Sequence, residues 1–105
     1  MMSQKYNAIK LDRKDNVAVA LRSIKPGEFL AVQGENEAIE IKENIPYGHK
    51  IATIFIPKDS KIIKYGECMG ISTEEISPGY YVHVSNVRGL KEEERLSALM
   101  EVQQR

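Results

Sequence analysis

The stretch NIPYGHKIATIFIPKDSKIIKYGECMG, residues 44–70, decides the fold class of this chain. It alternates short runs rich in isoleucine with turns that contain Pro, Gly or Asp, which is the pattern of a small all-β domain. The same pattern predicts eight strands, at residues 6–11, 17–21, 29–32, 38–41, 50–56, 61–65, 69–72 and 80–84. The run NVAVAL (16–21) is too apolar for a half-exposed strand, so we expect it near the centre of a sheet.

A weak internal repeat links the turns. SIKPGEFL (23–30) and EISPGYYV (75–82) share the pattern Ile-x-Pro-Gly-x-aromatic-aliphatic, and FIPKDSKII (55–63) is a looser third copy. Proline fixes φ at about −65° and glycine supplies a positive φ at the next position, so Pro-Gly predicts a type II turn. We therefore expect a compact, pseudo-symmetric β unit in which tight turns launch short strands.

The last part of the chain has a different composition. LKEEERLSALMEVQQR (90–105) contains no Gly or Pro, is rich in helix formers, and places Leu96, Leu99 and Met100 at helical spacing. Three apolar side chains bury little, so the pattern favours a peripheral or frayed helix; a helix that docks on a partner and the start of a linker are the alternatives. The predicted domains are a β domain at 1–88 and a C-terminal helix or tail at 89–105.

Length and charge limit the classes of function. At 105 residues the chain is expected to be one domain, and its zero net charge argues against a nucleic-acid partner bound through phosphate contacts. Cys68 is the only cysteine, so neither an internal disulfide nor a zinc site built from thiolates is possible. No window approaches the roughly 20 apolar residues of a membrane span, and the start of the chain has no apolar signal core. The expectation is a soluble cytoplasmic protein with no membrane partner; a pI near 6.7 is compatible with a homo-oligomer or a larger assembly.

The two histidines of the chain are the main candidates for chemistry. His49 follows the turn residues 46–48, and Lys50 beside it could form a cationic rim with Lys61 and Lys64, suited to a carboxylate ligand. A surface histidine and solubilising edge lysines are the plainer interpretation of the same residues.

The segment YYVHVSN (80–86) carries the other histidine, His83. Strand alternation places Tyr81, His83 and Ser85 on one face and predicts that Val82 and Val84 face the core. Histidine can act near neutral pH as a general acid, a general base or a metal ligand. Two imidazoles alone make an incomplete metal site, so a partner would have to supply further ligands.

Four motifs in order, DNVAVAL (15–21), IPYGHKIA (45–52), IIKYGECMGIS (62–72) and ISPGYYVHVSN (76–86), resemble a known family. The chain resembles the SAF domain that forms the N-terminal part, or the separate small subunit, of altronate and galactarate dehydratases. The small subunit of sulfolactate sulfo-lyase is similar too. The resemblance implies a β-clip fold, related to type III antifreeze proteins, in agreement with the short strands and tight turns.

The resemblance also implies a role in β-elimination from a sugar acid or a related hydroxy acid. In such dehydratases a base removes the proton α to the carboxylate, a divalent metal, usually Fe2+, stabilises the enediolate, and the β-hydroxyl leaves as water. The partner that the resemblance implies is a large catalytic lyase subunit, which would hold most of the metal site. From the matching motifs we expect His83 and His49 as catalytic residues, Lys50, Lys64, Tyr65 and Asn86 as substrate-binding residues, and His83 as a metal ligand.

One motif departs from the family pattern. The last motif commonly reads His-x-His-Asn, whereas this chain has serine at the second histidine position, Ser85, and serine is a poor ligand for a transition metal. Three explanations are open: His83 alone is sufficient for the role of this motif, the substrate class differs from the sugar-acid type, or the chain is a non-catalytic copy. A small subunit of a hydro-lyase is the favoured function. The alternatives are a small subunit of a sulfolactate sulfo-lyase, a stand-alone module that binds a carbohydrate or an organic acid, and an assembly or chaperone-like domain with no ligand.

Overall fold

The computed structural model describes residues 6–35 and 38–103. Within these ranges the chain forms nine short strands and one helix: β1 Ala8–Ile9, β2 Val17–Ala20, β3 Phe29–Leu30, β4 Ile39–Glu40, β5 Lys50–Ala52, β6 Lys61–Lys64, β7 Glu67–Ser72, β8 Tyr81–Val82, β9 Val87–Arg88 and α1 Glu92–Gln103. The prediction of a mostly β protein with a C-terminal helix is confirmed. Over the same residues, no helix has both the length and the apolar character needed to cross a membrane.

The strands form three antiparallel sheets. The largest has the order β1-β2-β5-β8, with Lys50 opposite both Val19 and Val82; the others are β6-β7-β9 and the pair β3-β4. β2 therefore lies between β1 and β5, and its residues Val17, Ala18 and Ala20 are at most 1% exposed. This confirms the prediction that NVAVAL lies near the centre of a sheet.

The turn repeat occurs four times. Each copy begins with an isoleucine that is at most 2% exposed and has a positive φ three residues later. The next strand in each copy then contributes a buried aliphatic side chain. The isoleucines pair through reciprocal backbone hydrogen bonds of 2.8–2.9 Å. The pairs are Ile24 with Ile45 and Ile56 with Ile76.

Two of the four copies differ from the Ile-x-Pro-Gly pattern. In the copy that starts at Ile45, proline directly follows the isoleucine and Gly48 supplies the positive φ of 81°, so a search for Pro-Gly misses it. In the copy that starts at Ile56, Asp59 takes the position with a φ of 64°, a conformation that Asp adopts more readily than most side chains. The invariant of the repeat is thus a buried isoleucine followed by a left-handed residue.

Two hydrophobic clusters surround the two isoleucine pairs. One includes Ile24 and Ile45 with side chains of β1, β2 and β5, and the other includes Ile56 and Ile76 with Val82 of β8. Each fully buried isoleucine contributes roughly 1.5–3 kcal/mol relative to an exposed one. The repeated turns are therefore also the main anchors of the core.

Asparagine side chains join the short strands in the same way in both halves. Asn7 and Asn16 each donate a side-chain N–H to one backbone carbonyl and accept a backbone N–H two residues further on, at 2.8–3.0 Å. The partners are Phe29 and Ala31 for Asn7, and Lys61 and Ile63 for Asn16. Strands of two to four residues offer few ladder hydrogen bonds, so these amides complete the pairing.

The helix is attached at its first turn. Glu94 accepts the Lys91 N–H at 2.7 Å, and its two carboxylate oxygens each pair with Arg88 of β9 at 2.9 Å. The bonds from Arg88 and Lys91 lower the pKa of Glu94 to about 2. The predicted apolar stripe is exposed; its members, Leu96, Leu99 and Met100, are 55–58% exposed. In the described residues α1 is therefore peripheral, held by polar contacts.

Candidate functional site

The strand β8 ends at Val82, and the next four residues form a turn that carries His83 and Ser85. A hydrogen bond from the Asn86 N–H to the His83 carbonyl closes this turn at 3.0 Å. Val84 is 92% exposed, so the prediction that it faces the core is wrong: the alternation of side chains stops where the strand stops. Ser85 Oγ lies 2.9 Å from Nε2 of His83, which fixes the imidazole within the turn.

Asn86 supports the turn from inside the domain. It is 7% exposed; its Oδ1 accepts the His83 N–H at 2.9 Å and its Nδ2 donates to the Tyr81 carbonyl at 2.8 Å. Its own carbonyl accepts the N–H of Thr73 at 2.9 Å. Both ends of the Asn86 amide are thus engaged by the backbone of the two residues that carry the site's rings.

Tyr81 lies between the two histidines. Its ring stacks on His83, with centroids 3.9 Å apart and an interplanar angle of 23°, and meets His49 edge-on at 5.5 Å. The register that pairs Ile51 with Tyr81 explains this, because it brings the residues before β5 alongside the residues after β8. A hydrogen bond of 2.5 Å joins Tyr81 Oη to Nδ1 of His49. Nε2 is therefore the nitrogen through which His49 can exchange a proton with a bound group.

Two lysines add positive charge beside these rings. Burial lowers the pKa of Lys50, and the nearby charge of Lys64 lowers it further. Within residues 6–35 and 38–103, neither ammonium forms a salt bridge with a carboxylate. An anion placed between them would relieve their mutual repulsion, so this part of the surface is suited to a carboxylate ligand.

A groove of about 460 Å³ contains most of these groups. Its lining combines imidazole, phenol and ammonium groups with apolar side chains of β6, β7, β8 and β9 and of the turn after β8. Its lining consists of His49, Lys50, Ile62, Met69, Tyr81, Val82, His83, Val84, Val87, Arg88 and Gly89. The guanidinium of Arg88 is already paired with Glu94, so Lys50 is the cation in the lining that has no partner among the described carboxylates.

The hairpin β6–β7 ends in a two-residue turn. Tyr65 and Gly66 have φ values of 59° and 76°, as a type I′ turn requires. The carboxylate of Asp15, which is 5% exposed, accepts the N–H groups of both residues at 2.8–2.9 Å and that of Asp12 at 3.1 Å. The side chain of Tyr65 is 72% exposed at the tip, next along the chain to Lys64.

Comparison with known proteins identifies the domain. A family profile described as the altronate/galactarate dehydratase SAF domain matches residues 6–90. An altronate dehydratase of Bacillus subtilis (strain 168) is 42% identical over 80 residues, which cover 76% of this chain and 16% of that protein. The (2R)-sulfolactate sulfo-lyase subunit alpha of Chromohalobacter salexigens is 33% identical over 82 residues, which cover 73% of this chain and 87% of that subunit. This chain belongs to the altronate/galactarate dehydratase SAF domain family.

The SAF domain corresponds to a small part of most of these relatives. An altronate dehydratase and a galactarate dehydratase (L-threo-forming) of Escherichia coli (strain K12) are 36% and 35% identical to it, and the matched segments are 16% and 14% of their lengths. The chain thus spans about a sixth of the dehydratases that it matches.

The SAF domain does not offer a complete set of metal ligands. Among the described residues, no group of three or more His, Cys, Asp or Glu side chains is arranged to hold a metal ion. A divalent site in a protein usually needs at least three such ligands, whereas here the two imidazoles stand on either side of a phenol ring. These residues alone therefore do not fit a resident metal.

The fold brings three of the six predicted site residues, His49, Lys50 and His83, into the groove, with Lys64 close to Lys50. Tyr65 lies at the hairpin tip and Asn86 lies behind the turn. Sequence reasoning placed Tyr81 on the same polar face as His83 and Ser85 but assigned it no role. The signal that identifies it is the β5–β8 register, which depends on long-range pairing.

Proposed function

We propose that this SAF domain is the small component of a hydro-lyase of the altronate/galactarate dehydratase type. Its role is to complete the active site of a large catalytic subunit for β-elimination of water from a sugar acid. The observation that supports this most is the groove in which two imidazoles, a phenol and a lysine with no salt-bridge partner among the described residues lie together at an open surface. The expectation that the protein works in the cytoplasm is part of the same proposal.

In this proposal each polar group has one task. Lys50 and Lys64 bind a carboxylate of the substrate as two point charges. His49 moves a proton at Nε2, with its ring oriented by the bond from Nδ1 to Tyr81. His83, stacked on the same Tyr81 ring, forms the other side of the proton-transfer site. In the net reaction the Cα–H bond and the Cβ–O bond break, a Cα–Cβ double bond forms, and the enol product tautomerises to a 2-keto-3-deoxy acid.

The large subunit would supply what this domain lacks. Fe2+ is the expected metal, and we propose that the partner holds it, because the described residues provide no set of three ligands. Such a cation would withdraw charge from the substrate carboxylate as the α-proton leaves. No step of the proposal assigns His83 to the metal, and Ser85 in place of a second histidine favours a hydrogen-bonding role for this turn.

A sulfo-lyase small subunit is the second candidate. It is favoured by the similarity to a sulfolactate sulfo-lyase subunit alpha, because the match covers 87% of that subunit. The chemistry differs only in the leaving group, which is sulfite instead of water. The higher identity, 42%, is to an altronate dehydratase, and this ranks the hydro-lyase first.

A reconstitution assay tests the proposal. The purified chain is assayed alone and with a candidate large subunit, with Fe2+ and with altronate, galactarate or sulfolactate. Keto-acid and sulfite formation are followed separately. We expect turnover only in the mixture, with loss of turnover in His83→Ala. Ile54→Ala is the control, because this side chain is 55% exposed and does not line the groove, so turnover should be unchanged.

The outcomes separate the candidates. Keto acid without sulfite supports the hydro-lyase, and sulfite release supports the sulfo-lyase. A mixture that is inactive on all three substrates, combined with binding of a sugar acid by the chain alone, would support a stand-alone binding module. A His83→Ala mixture as active as the parent would show that the turn only covers the site, and the assignment of His83 would then be wrong.

A further inference from the structure

The hairpin β6–β7 forms one wall of the groove. Ile62 of β6 and Met69 of β7 line it. The same hairpin carries Lys64, whose charge acts on Lys50. The width of the groove, and the distance from Lys64 to the Lys50 that lines it, therefore depend on where this hairpin is held.

Asp15 and Asn16 hold it at two places. Asp15 binds the turn through the N–H groups of Tyr65 and Gly66, and the side chain of Asn16 binds the outer edge of β6. The Asn16 backbone adds a bond from its N–H to the Ile63 carbonyl at 3.2 Å.

These two residues also connect the hairpin to the strand that bears the first lysine. They immediately precede β2, which begins at Val17, and Val17 is paired with Ala52 of β5. β5 begins with Lys50. Lys64 is thus connected to Lys50 through the hydrogen bonds of Asp15 and Asn16 and through the pairing of β2 with β5.

We propose that Asp15 and Asn16 are positioning residues: they fix the β6–β7 hairpin, and with it Lys64, relative to the strand that carries Lys50, so that the groove keeps the width its ligand needs. The effect on a substrate rests on the proposed function. The effect on the hairpin does not, and the two are measured separately.

The molecule contains a matched control for this role. Asn7 makes the same two side-chain bonds as Asn16, but to the backbone on either side of Leu30, and none of these residues lines the groove. Asn7→Ala and Asn16→Ala therefore remove equivalent hydrogen bonds, one pair far from the groove and one pair at its wall. A purely structural role predicts the same consequences for both variants.

The first experiment measures kcat and KM of the reconstituted complex at a saturating concentration of large subunit. We expect Asn16→Ala to raise KM by on the order of ten-fold with little change in kcat, because binding of the carboxylate is lost while the proton-transfer groups remain. Asn7→Ala should leave KM unchanged, although its thermal unfolding midpoint should fall at least as much as that of Asn16→Ala, because Asn7 is the more deeply buried of the two. Equal changes of KM in the two variants, or none in either, would overturn the positioning role.

The second experiment reads the hairpin directly and needs no activity. Amide hydrogen exchange of the free chain should accelerate at Ile63, Tyr65 and Gly66 in Asn16→Ala and not in Asn7→Ala. If Asn16→Ala does not fold, Asp15→Asn replaces it as the test variant. This substitution keeps the shape of the side chain but turns one acceptor into a donor, so amide exchange at Tyr65 and Gly66 should accelerate. If the parent mixture is inactive but this exchange pattern is observed, the proposed function is wrong and the positioning role of Asp15 and Asn16 stands. If exchange is unchanged, or is accelerated equally in both asparagine variants, the positioning role is wrong.

Discussion

Asn86→Ala is expected to destabilise the domain before it affects any ligand. The substitution removes two hydrogen bonds of 2.8–2.9 Å and leaves the His83 N–H and the Tyr81 carbonyl without their partner. At roughly 1–1.5 kcal/mol for each bond, with a further penalty where the group stays dry, the expected loss is about 2–3 kcal/mol. A domain of this size has roughly 5–15 kcal/mol in total, so the thermal midpoint should fall by about 10–20 °C.

Urea and thermal unfolding followed by circular dichroism measure this loss, and two variants calibrate it. Asn86→Asp keeps an acceptor for the His83 N–H and should lose about half as much, roughly 1–2 kcal/mol. Asn44→Ala removes an exposed asparagine and should stay within about 0.5 kcal/mol of the parent. If Asn86→Ala unfolds like Asn44→Ala and yet abolishes turnover or ligand binding, the supporting role is refuted, and Asn86 is a ligand-binding residue as its motif predicted.

Three further predictions test other contacts. Gly79→Ala should lower the free energy of unfolding by about 3 kcal/mol or more, because its Cβ would lie 2.1 Å from a backbone oxygen of β4. Gly27 has a similar φ but open space around it, so Gly27→Ala should lower it by about 1–2 kcal/mol in the same urea titration. Equal losses in the two variants would contradict the role of the close contact. Tyr65→Asn should stabilise the domain by about 0.5–1 kcal/mol in thermal unfolding, because asparagine adopts a φ of 59° more readily than tyrosine does. A loss of stability would show that the Tyr65 ring makes a stabilising packing contact. A carboxyl NMR titration should give Glu94 a pKa of about 2. Since this lies below the unfolded value of 4.5, the contribution of Glu94 to stability is complete above pH 4.5 and disappears as pH falls through about 2. Arg88→Lys should move the pKa of Glu94 back towards 4.5.

The sequence was sufficient for the turns and the strand positions, but not for the pairing. Each of the eight predicted strands overlaps an observed one, because β-branched runs and Pro-Gly turns are local signals. β9 was missed because it has only two residues, and its place is fixed by pairing with β7. The repeat at Ile45 was missed because proline can occupy either of two turn positions, and only the left-handed residue is obligatory.

The candidate site shows the same division. His49 and His83 could be named from the sequence because there are two histidines to consider. Their placement on either side of Tyr81 could not, because it depends on a register between strands that are separated by about 30 residues. The error at Val84 has a local cause: a period-two assignment was extended beyond the last hydrogen-bonded residue of the strand, into a turn.

The polar residues of the quoted motifs separate into two groups by what their side chains bind. Asp15, Asn16 and Asn86 direct their polar atoms to backbone groups of the same domain, and the strands of two to four residues that they join have few other bonds to hold them. His49 and Lys50, in contrast, present at the groove a nitrogen that no described carboxylate neutralises. Because both groups lie in the quoted motifs, resemblance alone does not separate a side chain that holds the fold from one that acts at the groove. Their hydrogen-bond partners distinguish the two groups. This difference supports the proposal that the chemistry of this SAF domain lies with its imidazoles and lysines, while its aspartate and amide side chains set their positions.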